Sequence, residues 1–460
     1  MPQNRLSLKW WQRARSPNRK FWVDKMSTTM NHQSNKISDW QTKRWSDFQE
    51  KLGKISDGNS FQKKRFPELG DWRSWKGFDD FSEACPLTTK RELEDDQLAC
   101  PPWGSNLTFN EDQYLRYSRT SGTSGEPISW MDTAEDWGWM LGNWDSILEH
   151  AGVRAGASCF FAFSFGPFLG FWTAYEATVQ RGCICIPGGG QSTESRLRSV
   201  LENNVEYLFC TPTYAMRMIE TAKEIGIDLT KNSLKKIIVA GECGGSIPAV
   251  RSSVDQAWGK DSLIYDHYGM TEVGPVAYET PGGGGGLRIL LDSYHPEVID
   301  PKTTCPVKPG ELGELVLTPL GREGSPVLRY RTGDLVQVSS GVDESGLPTF
   351  DLPGGILGRV DDMLVVRGVN LYPSGVDAII RKFTSVSEYQ VVVEQKREMN
   401  EITIRAECGE ADAHELESAL QDTYSLRIPV VFVEKGTLPR YEMKAKRWVH
   451  KSIDQHKHPA

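Results

Sequence analysis

Short β-rich runs alternate with helical patterns along the middle of the chain, and this alternation limits the possible folds more than any other feature. The β-rich runs lie at residues 158–162, 183–186, 207–210, 236–240 and 263–267, with helical patterns between them. Strands that alternate with helices over short connections predict a parallel sheet covered by helices on both faces. Ligands of such sheets bind beyond the carboxyl ends of the strands, so we expect the functional residues at that edge.

Composition argues against several classes of protein. The net charge of −8 gives no basic field that would attract nucleic acid. No apolar run reaches the roughly 18 residues that cross a membrane, so we expect neither a nucleic-acid nor a membrane partner. The nine cysteines include no CxxC pair, which favours reduced thiols and a cytoplasmic location over a zinc site or a disulfide framework. The first residues are basic and lack the apolar core of a signal peptide.

A loop rich in hydroxyls and glycines comes before the alternating region. It consists of Thr120, Ser121, Gly122, Thr123, Ser124 and Gly125 and is followed by Glu126. Glycines allow sharp turns that expose backbone N–H groups, and successive N–H groups form a concavity that binds anions. We interpret the loop as a phosphate-binding site, while a solvated turn is the alternative for this motif taken alone.

Further motifs lie at the predicted strand ends or beyond the sheet. Tyr268, Thr271 and Glu272 follow the last β-rich run and offer an aromatic face for a base, a hydroxyl for a phosphate and a carboxylate for magnesium. Asp334 lies beyond a tight turn, where a carboxylate is suited to accept two ribose hydroxyls. A basic segment near the C-terminus contains Lys444 and Lys446, and on its own it would be read as a solvated face.

Taken in order, these stretches resemble the adenylate-forming superfamily of acyl-CoA synthetases, and most closely its phenylacetate–CoA ligase branch. The most specific match runs from Arg359 to Ser374, and residues 163–168 resemble the aromatic acyl-pocket segment of that branch. The resemblance implies an α/β fold with a large N-terminal domain of mainly parallel α/β sheets plus a β-rich subdomain. A hinge would join it to a small α+β C-terminal domain. We expect a disordered basic arm over residues 1–40 (or a true start at Met26 or Met30), the large domain over 41–360 and the small mobile domain over 361–460.

The resemblance also implies an activity in two half-reactions. An aromatic or otherwise hydrophobic carboxylic acid would attack ATP with Mg²⁺ present, giving an acyl-adenylate and pyrophosphate. The thiol of CoA would then take the acyl group and release AMP. Transfer to a carrier protein or an amine is one alternative, and a non-catalytic nucleotide-binding protein of the same fold is another. The sequence leaves a homodimer open.

The roles of individual residues come from the same resemblance. It assigns catalysis to Lys444 and Thr271, magnesium to Glu272 and the hinge to Asp361. It assigns ATP and AMP binding to Thr120, Ser121, Gly122, Thr123, Ser124, Gly125, Gly241, Glu242, Asp266, Tyr268, Gly269, Asp334 and Arg359. The predicted acid pocket contains Phe163, Phe165, Phe168, Tyr214 and Cys243.

Within this set, some roles are more specific. Gly241 with Glu242 would form one wall of the adenine slot and Tyr268 the other, while Asp266 would contact the adenine amino group. Asp334 with Arg359 would hold the ribose. Lys444 would bridge the attacking carboxylate and the α-phosphate, although Lys446, two residues later, also fits that description.

Glu126 departs from the family pattern. Many relatives place a lysine after the last loop glycine, where this chain has a glutamate. A carboxylate close to a triphosphate is unfavourable unless it points away or reaches the magnesium ion. This residue puts the strength of ATP binding in question and favours the non-catalytic alternative slightly, whereas Glu272, Asp334 and Lys444 oppose that alternative more strongly.

Overall fold

The computed structural model describes residues 19–65, 71–120, 127–367, 369–396, 399–441 and 445–451. The first helix, α1, spans Arg19–Gly58, so residues 19–40 are helical where the sequence predicted a disordered arm; residues 1–18 lie outside the described part. Short helices follow at Ser60–Lys63 (α2), Phe78–Ala84 (α3) and Lys90–Ala99 (α4). Trp45, Phe48 and Leu52 of α1 are buried with Phe81 of α3. This apolar cluster attaches the N-terminal helices to the main body.

A nine-stranded sheet forms the centre of the molecule. A separate hairpin of β1 (Tyr114–Arg119) and β2 (Ser129–Thr133) precedes it. The strands of the sheet are β3 (Ser158–Phe161), β4 (Ile184–Pro187), β5 (Tyr207–Cys210), β6 (Lys236–Val239), β7 (Ile264–Met270), β8 (Gly274–Glu279), β9 (Leu287–Ile289), β13 (Ser339–Val342) and β14 (Pro348–Leu352). Their order is β13-β14-β9-β8-β7-β6-β5-β3-β4. Strands β3 to β7 pair in parallel, as predicted, and the strands beyond β7 pair antiparallel.

Helices cover both faces of the parallel strands. The helices are α5 (Ala134–His150), α6 (Leu169–Gln180), α7 (Thr193–Glu202), α8 (Pro212–Ile225) and α9 (Pro248–Trp258). Alternate strand residues point to opposite faces, so Leu208 and Ile237 pack with α7, α8 and α9 while Phe209 and Ile238 pack with α5 and α6. The face covered by α5 and α6 is the one that contains the cavity described below.

A second sheet lies beside the first and supplies the predicted β-rich part. Strands β10 (Tyr294–Ile299), β11 (Leu312–Pro319), β12 (Tyr330–Gln337) and β15 (Gly358–Arg359) pair antiparallel in that order. Its buried side chains share a core with β8 and β9. The two sheets therefore pack as one body up to the end of β15.

The C-terminal segment has a core of its own. It contains β16 (Leu364–Val366), β17 (Val369–Leu371), α10 (Pro373–Ile380), β18 (Tyr389–Lys396), β19 (Met399–Glu407), α11 (Glu410–Tyr424), β20 (Val430–Val433) and β21 (Trp448–Lys451). The last sheet has the order β20-β19-β18-β21, and its apolar residues pack against α10 and α11. The predicted α/β architecture with a separate α+β C-terminal unit is thus confirmed. Among the described residues, no helix is long and apolar enough to cross a membrane.

Candidate active site

A cavity of about 670 Å³ lies at the carboxyl ends of β5, β6 and β7, the edge at which open α/β sheets bind ligands. Its inner part is apolar and aromatic. The side chains there come from α5, from α6 with its preceding loop, and from the sheet: Trp144, Phe163, Phe168, Leu169, Phe171, Ala174, Phe209 and Ile238. Its outer part is polar and is lined by Thr271, Glu272, Arg331, Arg359, Asp361 and Lys446. The cavity thus joins an aromatic pocket to a charged mouth.

Only part of the predicted acid pocket lines this cavity. Phe163 and Phe168 do. Phe165 instead packs against Trp172 and Tyr175, with ring centroids 4.8 and 5.4 Å apart. This residue supports the aromatic wall from behind and does not line it.

Tyr214 and Cys243 were also predicted to line the pocket, and the structure corrects both. Tyr214 lies in α8, which covers the opposite face of the sheet, and its hydroxyl donates to Thr193 Oγ1 at 3.1 Å. The side chain is fully buried core. Cys243, in the loop after β6, is exposed and lies outside the cavity lining.

Three predicted nucleotide-binding residues meet at one point, although Tyr268 and Asp334 are far apart in sequence. The Tyr268 hydroxyl donates to Asp334 Oδ2 at 2.6 Å, and Arg359 Nη1 donates to Asp334 Oδ1 at 2.8 Å. Tyr268 is only 9% exposed and lies outside the cavity lining. Its predicted role as an aromatic wall of the adenine slot therefore stays a prediction that requires the ring to become accessible.

Asp266 and Glu242, two further predicted nucleotide-binding residues, each have defined hydrogen-bond partners. Ser246 Oγ donates to Asp266 Oδ2 at 2.7 Å, and burial raises the pKa of Asp266 to about 7. Glu242 accepts hydrogen bonds from the backbone N–H of Thr213 at 2.8 Å and of Ala445 at 3.2 Å. Gly241, which lines the cavity, has a φ of +94° that favours glycine.

Glu272 is the candidate magnesium ligand and fits that role. Its side chain is buried and lines the cavity, with the hydroxyl of Tyr330 donating to Oε1 at 3.3 Å. It forms no ion pair within the part of the chain that the structure describes, and no cluster of three metal-binding side chains occurs there. A lone carboxylate suits magnesium, which takes one or two protein carboxylates and completes its shell with water and substrate phosphates. Thr271 and Gly269 line the cavity beside it.

The predicted phosphate loop falls largely outside the described residues. Ser121, Gly122, Thr123, Ser124, Gly125 and Glu126 belong to the undescribed part. Thr120 is described and lines the cavity; its N–H donates to Ile128 O at 3.0 Å, and its Oγ1 accepts from Ile128 N at 2.9 Å. These two bonds bring the ends of the loop together at the cavity. The phosphate-binding role stays a prediction.

The C-terminal basic segment reaches the same site. Lys444 lies outside the described residues, but the N–H of Ala445 donates to Glu242 and Lys446 lines the cavity. Arg440 ties the segment to α8 through Glu220 at 2.8 Å, while it also pairs with Glu407 of β19 at 2.6 Å. The predicted hinge residue, Asp361, lies at the cavity mouth with its side chain 63% exposed.

Sequence reasoning missed three residues of the cavity's inner end. His267 and Trp144 line it with their rings 4.3 Å apart, and Trp144 Nε1 donates to Thr173 Oγ1 at 2.9 Å. Strand alternation gave a signal for His267, because in β7 it points away from its neighbours Asp266 and Tyr268. Trp144 and Thr173 come from different helices, so no local pattern joins them.

A parallel α/β sheet with an apolar pocket, a charged mouth and a small C-terminal domain over that mouth defines an adenylate-forming enzyme. The chain belongs to the AMP-binding enzyme family, whose model matches residues 81–319, and the AMP-binding enzyme C-terminal domain matches residues 368–452. The predicted family is confirmed.

The relatives lie in the predicted branch. The chain is 30% identical to the phenylacetate-coenzyme A ligase of Escherichia coli in an alignment of 405 positions that covers 83% of this chain and 86% of that protein. It is 31% identical to the enzyme of that name from Thermus thermophilus over 354 residues, 76% of this chain and 77% of the relative.

A solved 2-hydroxyisobutyryl-CoA ligase adds a comparison of conformations. In its postadenylation state it is 25% identical, with a TM-score of 0.81 and 88% of each chain covered. In its thioesterification state, with CoA, the identity is 26%, the coverage 90% of each chain and the TM-score 0.67. The arrangement of the present chain therefore resembles the postadenylation state more closely.

Proposed function

We propose that the protein is an ATP-dependent ligase that joins an aromatic carboxylic acid to CoA, releasing AMP and pyrophosphate. The predicted enzyme class, an AMP-forming acid–thiol ligase, is confirmed by the relatives and the family model. The observation that carries the choice of acid is the cavity itself, in which the aromatic inner end opens directly onto Thr271 and Glu272. A hydrophobic acid in that pocket would present its carboxylate to the α-phosphate of ATP at the mouth.

The two half-reactions make different demands on the site. In the first, a carboxylate oxygen forms a bond to the α-phosphorus, and the bond from that phosphorus to pyrophosphate breaks. In the second, the CoA sulfur attacks the acyl carbon and the carbon–oxygen bond to AMP breaks. Catalysis of this kind relies on positioning and on charge stabilisation. Asp334 and Arg359 would hold the ribose, and Thr271 would contact the α-phosphate.

Magnesium would be held by Glu272 and by oxygens of the substrate phosphates, and it would neutralise phosphate charge. Asp266 would accept a hydrogen bond from the adenine amino group, with Ser246 orienting the carboxylate. The nine free cysteines support the proposed cytoplasmic location. Homodimer formation stays a prediction.

The experiment that tests this function is pyrophosphate release with a panel of carboxylic acids, first without and then with CoA. We expect arylacetates and other hydrophobic acids to outcompete acetate, since pockets of this kind discriminate by about 1–3 kcal/mol per methylene group. A thioester product with CoA separates the ligase from an enzyme that transfers to a carrier protein or an amine. Preference for acetate or for a charged diacid would contradict the proposal.

Glu272→Gln is expected to weaken adenylation at limiting magnesium, because an amide oxygen is a poorer ligand for the ion than a carboxylate oxygen. The loss should shrink as the magnesium concentration rises, and pyrophosphate release measures it. Glu311→Gln is a matched control, since that glutamate is exposed and lies outside the cavity lining. Unchanged pyrophosphate release at limiting magnesium would contradict the assignment of Glu272 as a magnesium ligand.

A further inference from the structure

We propose that His267 determines specificity by accepting a hydrogen bond from the acid, so that the preferred substrates are aromatic acids with a hydroxyl or amino group on the ring. This inference rests on the proposed function and refines the choice of acid. It concerns the inner end of the cavity, where the wall is otherwise aromatic or aliphatic apart from Thr173.

His267 is held at this end by the fold. It lies in β7 and is only 6% exposed. On the neighbouring strands, Phe209 and Ile238 line the same wall. The imidazole ring lies 4.3 Å from the Trp144 ring, between centroids. The side chain is therefore fixed against a tryptophan and cannot turn to solvent.

The hydrogen bond at one ring nitrogen of His267 determines whether the other nitrogen is a donor or an acceptor. Nδ1 of His267 lies 2.8 Å from the carbonyl oxygen of Ala277 in β8. A carbonyl oxygen can only accept, so Nδ1 carries the proton. Burial lowers the pKa of His267 to about 4, so the ring is neutral at physiological pH. Nε2 is then an acceptor without a proton.

Nε2 has no donor from the protein within the described residues, and His267 lines the cavity. The other polar groups nearby are already paired: Trp144 Nε1 donates to Thr173 Oγ1, and Thr173 Oγ1 donates to Leu169 O at 2.9 Å. Once a ligand fills the pocket and displaces water, an acceptor that is left without a donor is unfavourable. A ligand that supplies a hydrogen-bond donor at Nε2 is therefore favoured over a ligand of equal size that supplies none.

The separation of His267 from the mouth is compatible with an aromatic acid. Thr271, the residue assigned to the α-phosphate, follows His267 by four positions, just past the end of β7 at Met270, and four extended residues span at most about 14 Å. A ring with a carboxymethyl arm at one end and a hydroxyl or amino group at the other fits within this limit, with its donor at Nε2 of His267 and its carboxylate directed towards the α-phosphate. Aliphatic hydroxy acids of two or three carbons are too short to reach both points.

The test compares acids that differ only in the donor. Hydroxyphenylacetates and aminophenylacetates, substituted at the 3- or 4-position, are paired with the fluorinated compounds, which have nearly the same size but no donor. The readout is kcat/KM for pyrophosphate release with CoA present. We expect the wild-type protein to prefer the better donor isomer by about tenfold or more. A water on Nε2 that serves both acids equally would abolish this preference and overturn the inference.

Variants then tie the preference to the ring nitrogen. His267→Leu should bring the donor preference close to one while unsubstituted phenylacetate is still used, because leucine fills the site without an acceptor. His150→Leu is the matched control: this histidine is exposed on α5, outside the cavity lining, and its loss should leave the ratio unchanged. A donor preference that persists in His267→Leu would overturn the assignment.

The outcomes of these assays distinguish a failure of this inference from a failure of the proposed function. If no acid in the wider panel releases pyrophosphate, the proposed function fails. If arylacetates are used but hydroxylated and fluorinated acids are equal in the wild-type protein, only the role of His267 fails. Should His267→Leu not fold, the wild-type comparison still decides, and His267→Asn, which keeps an acceptor, should retain part of the preference.

Discussion

Replacing Lys444 by alanine is expected to slow adenylate formation by about 10²–10³, the usual cost of losing a preorganised donor in an active site. The first half-reaction brings a carboxylate anion against an anionic phosphate, and a cation between them offsets the repulsion. The structure supports this position for the segment, because the N–H of Ala445 donates to Glu242 and Lys446 lines the cavity.

The effect should be confined to one half-reaction. Attack of a thiol on a finished adenylate has no pair of anions to separate. Lys444→Ala should therefore keep most of the rate at which a supplied acyl-adenylate and CoA give thioester. The two steps are measured separately, as pyrophosphate release and as thioester formation. Equal loss of both steps would contradict a selective role for this lysine.

Lys446→Ala provides the comparison that fixes the register of the motif. Sequence spacing favours Lys444, whereas the structure places Lys446 in the cavity lining and does not describe Lys444. We expect Lys446→Ala to lose much less of the first step. If Lys446→Ala abolishes adenylation and Lys444→Ala does not, the assigned register is wrong by two residues.

The sequence predicted the sheet well because its signals are local. Apolar β-rich runs alternate with amphipathic helices, and the strands β3 to β7 formed where those runs lie. The meeting of Tyr268, Asp334 and Arg359 came only from the family resemblance, since a hydrogen bond between residues 66 positions apart leaves no local pattern.

The misplacement of Tyr214 and the omission of His267 share one physical origin. A side chain can line the pocket only if it lies on the face of the sheet that contains the cavity. The sequence does not show which face a given helix covers. Tyr214 was assigned to the pocket although α8 packs on the opposite face from α5 and α6. His267 was overlooked because its neighbours, Asp266 and Tyr268, carried the motif, yet alternation along β7 turns His267 to the opposite face from both of them.

Asp361→Pro is expected to slow thioester formation by about 10²-fold while adenylation is largely kept. We propose that the C-terminal domain rotates about this residue between the half-reactions. The described arrangement has Arg440 paired with Glu220 and is closer to the postadenylation state of the 2-hydroxyisobutyryl-CoA ligase than to its thioesterification state, with TM-scores of 0.81 and 0.67. Proline fixes φ, so the variant would be held in the described arrangement. The domain could then not bring the groups needed for thioester formation into position. Small misplacements of reacting groups cost about 10² in rate.

Asp361→Ala separates the backbone effect from the side chain. Alanine removes the contact with Arg359, which spans 3.9 Å between Nη2 and Oδ2 on a largely exposed side chain, but leaves φ free. Both half-reactions should therefore stay near the wild-type rates in Asp361→Ala. Only Asp361→Pro should slow one half-reaction much more than the other. Equal loss of pyrophosphate release and thioester formation in Asp361→Pro would place the hinge elsewhere. Loss of the thioester step in both variants would assign the effect to the carboxylate, because the two substitutions share only the missing side chain.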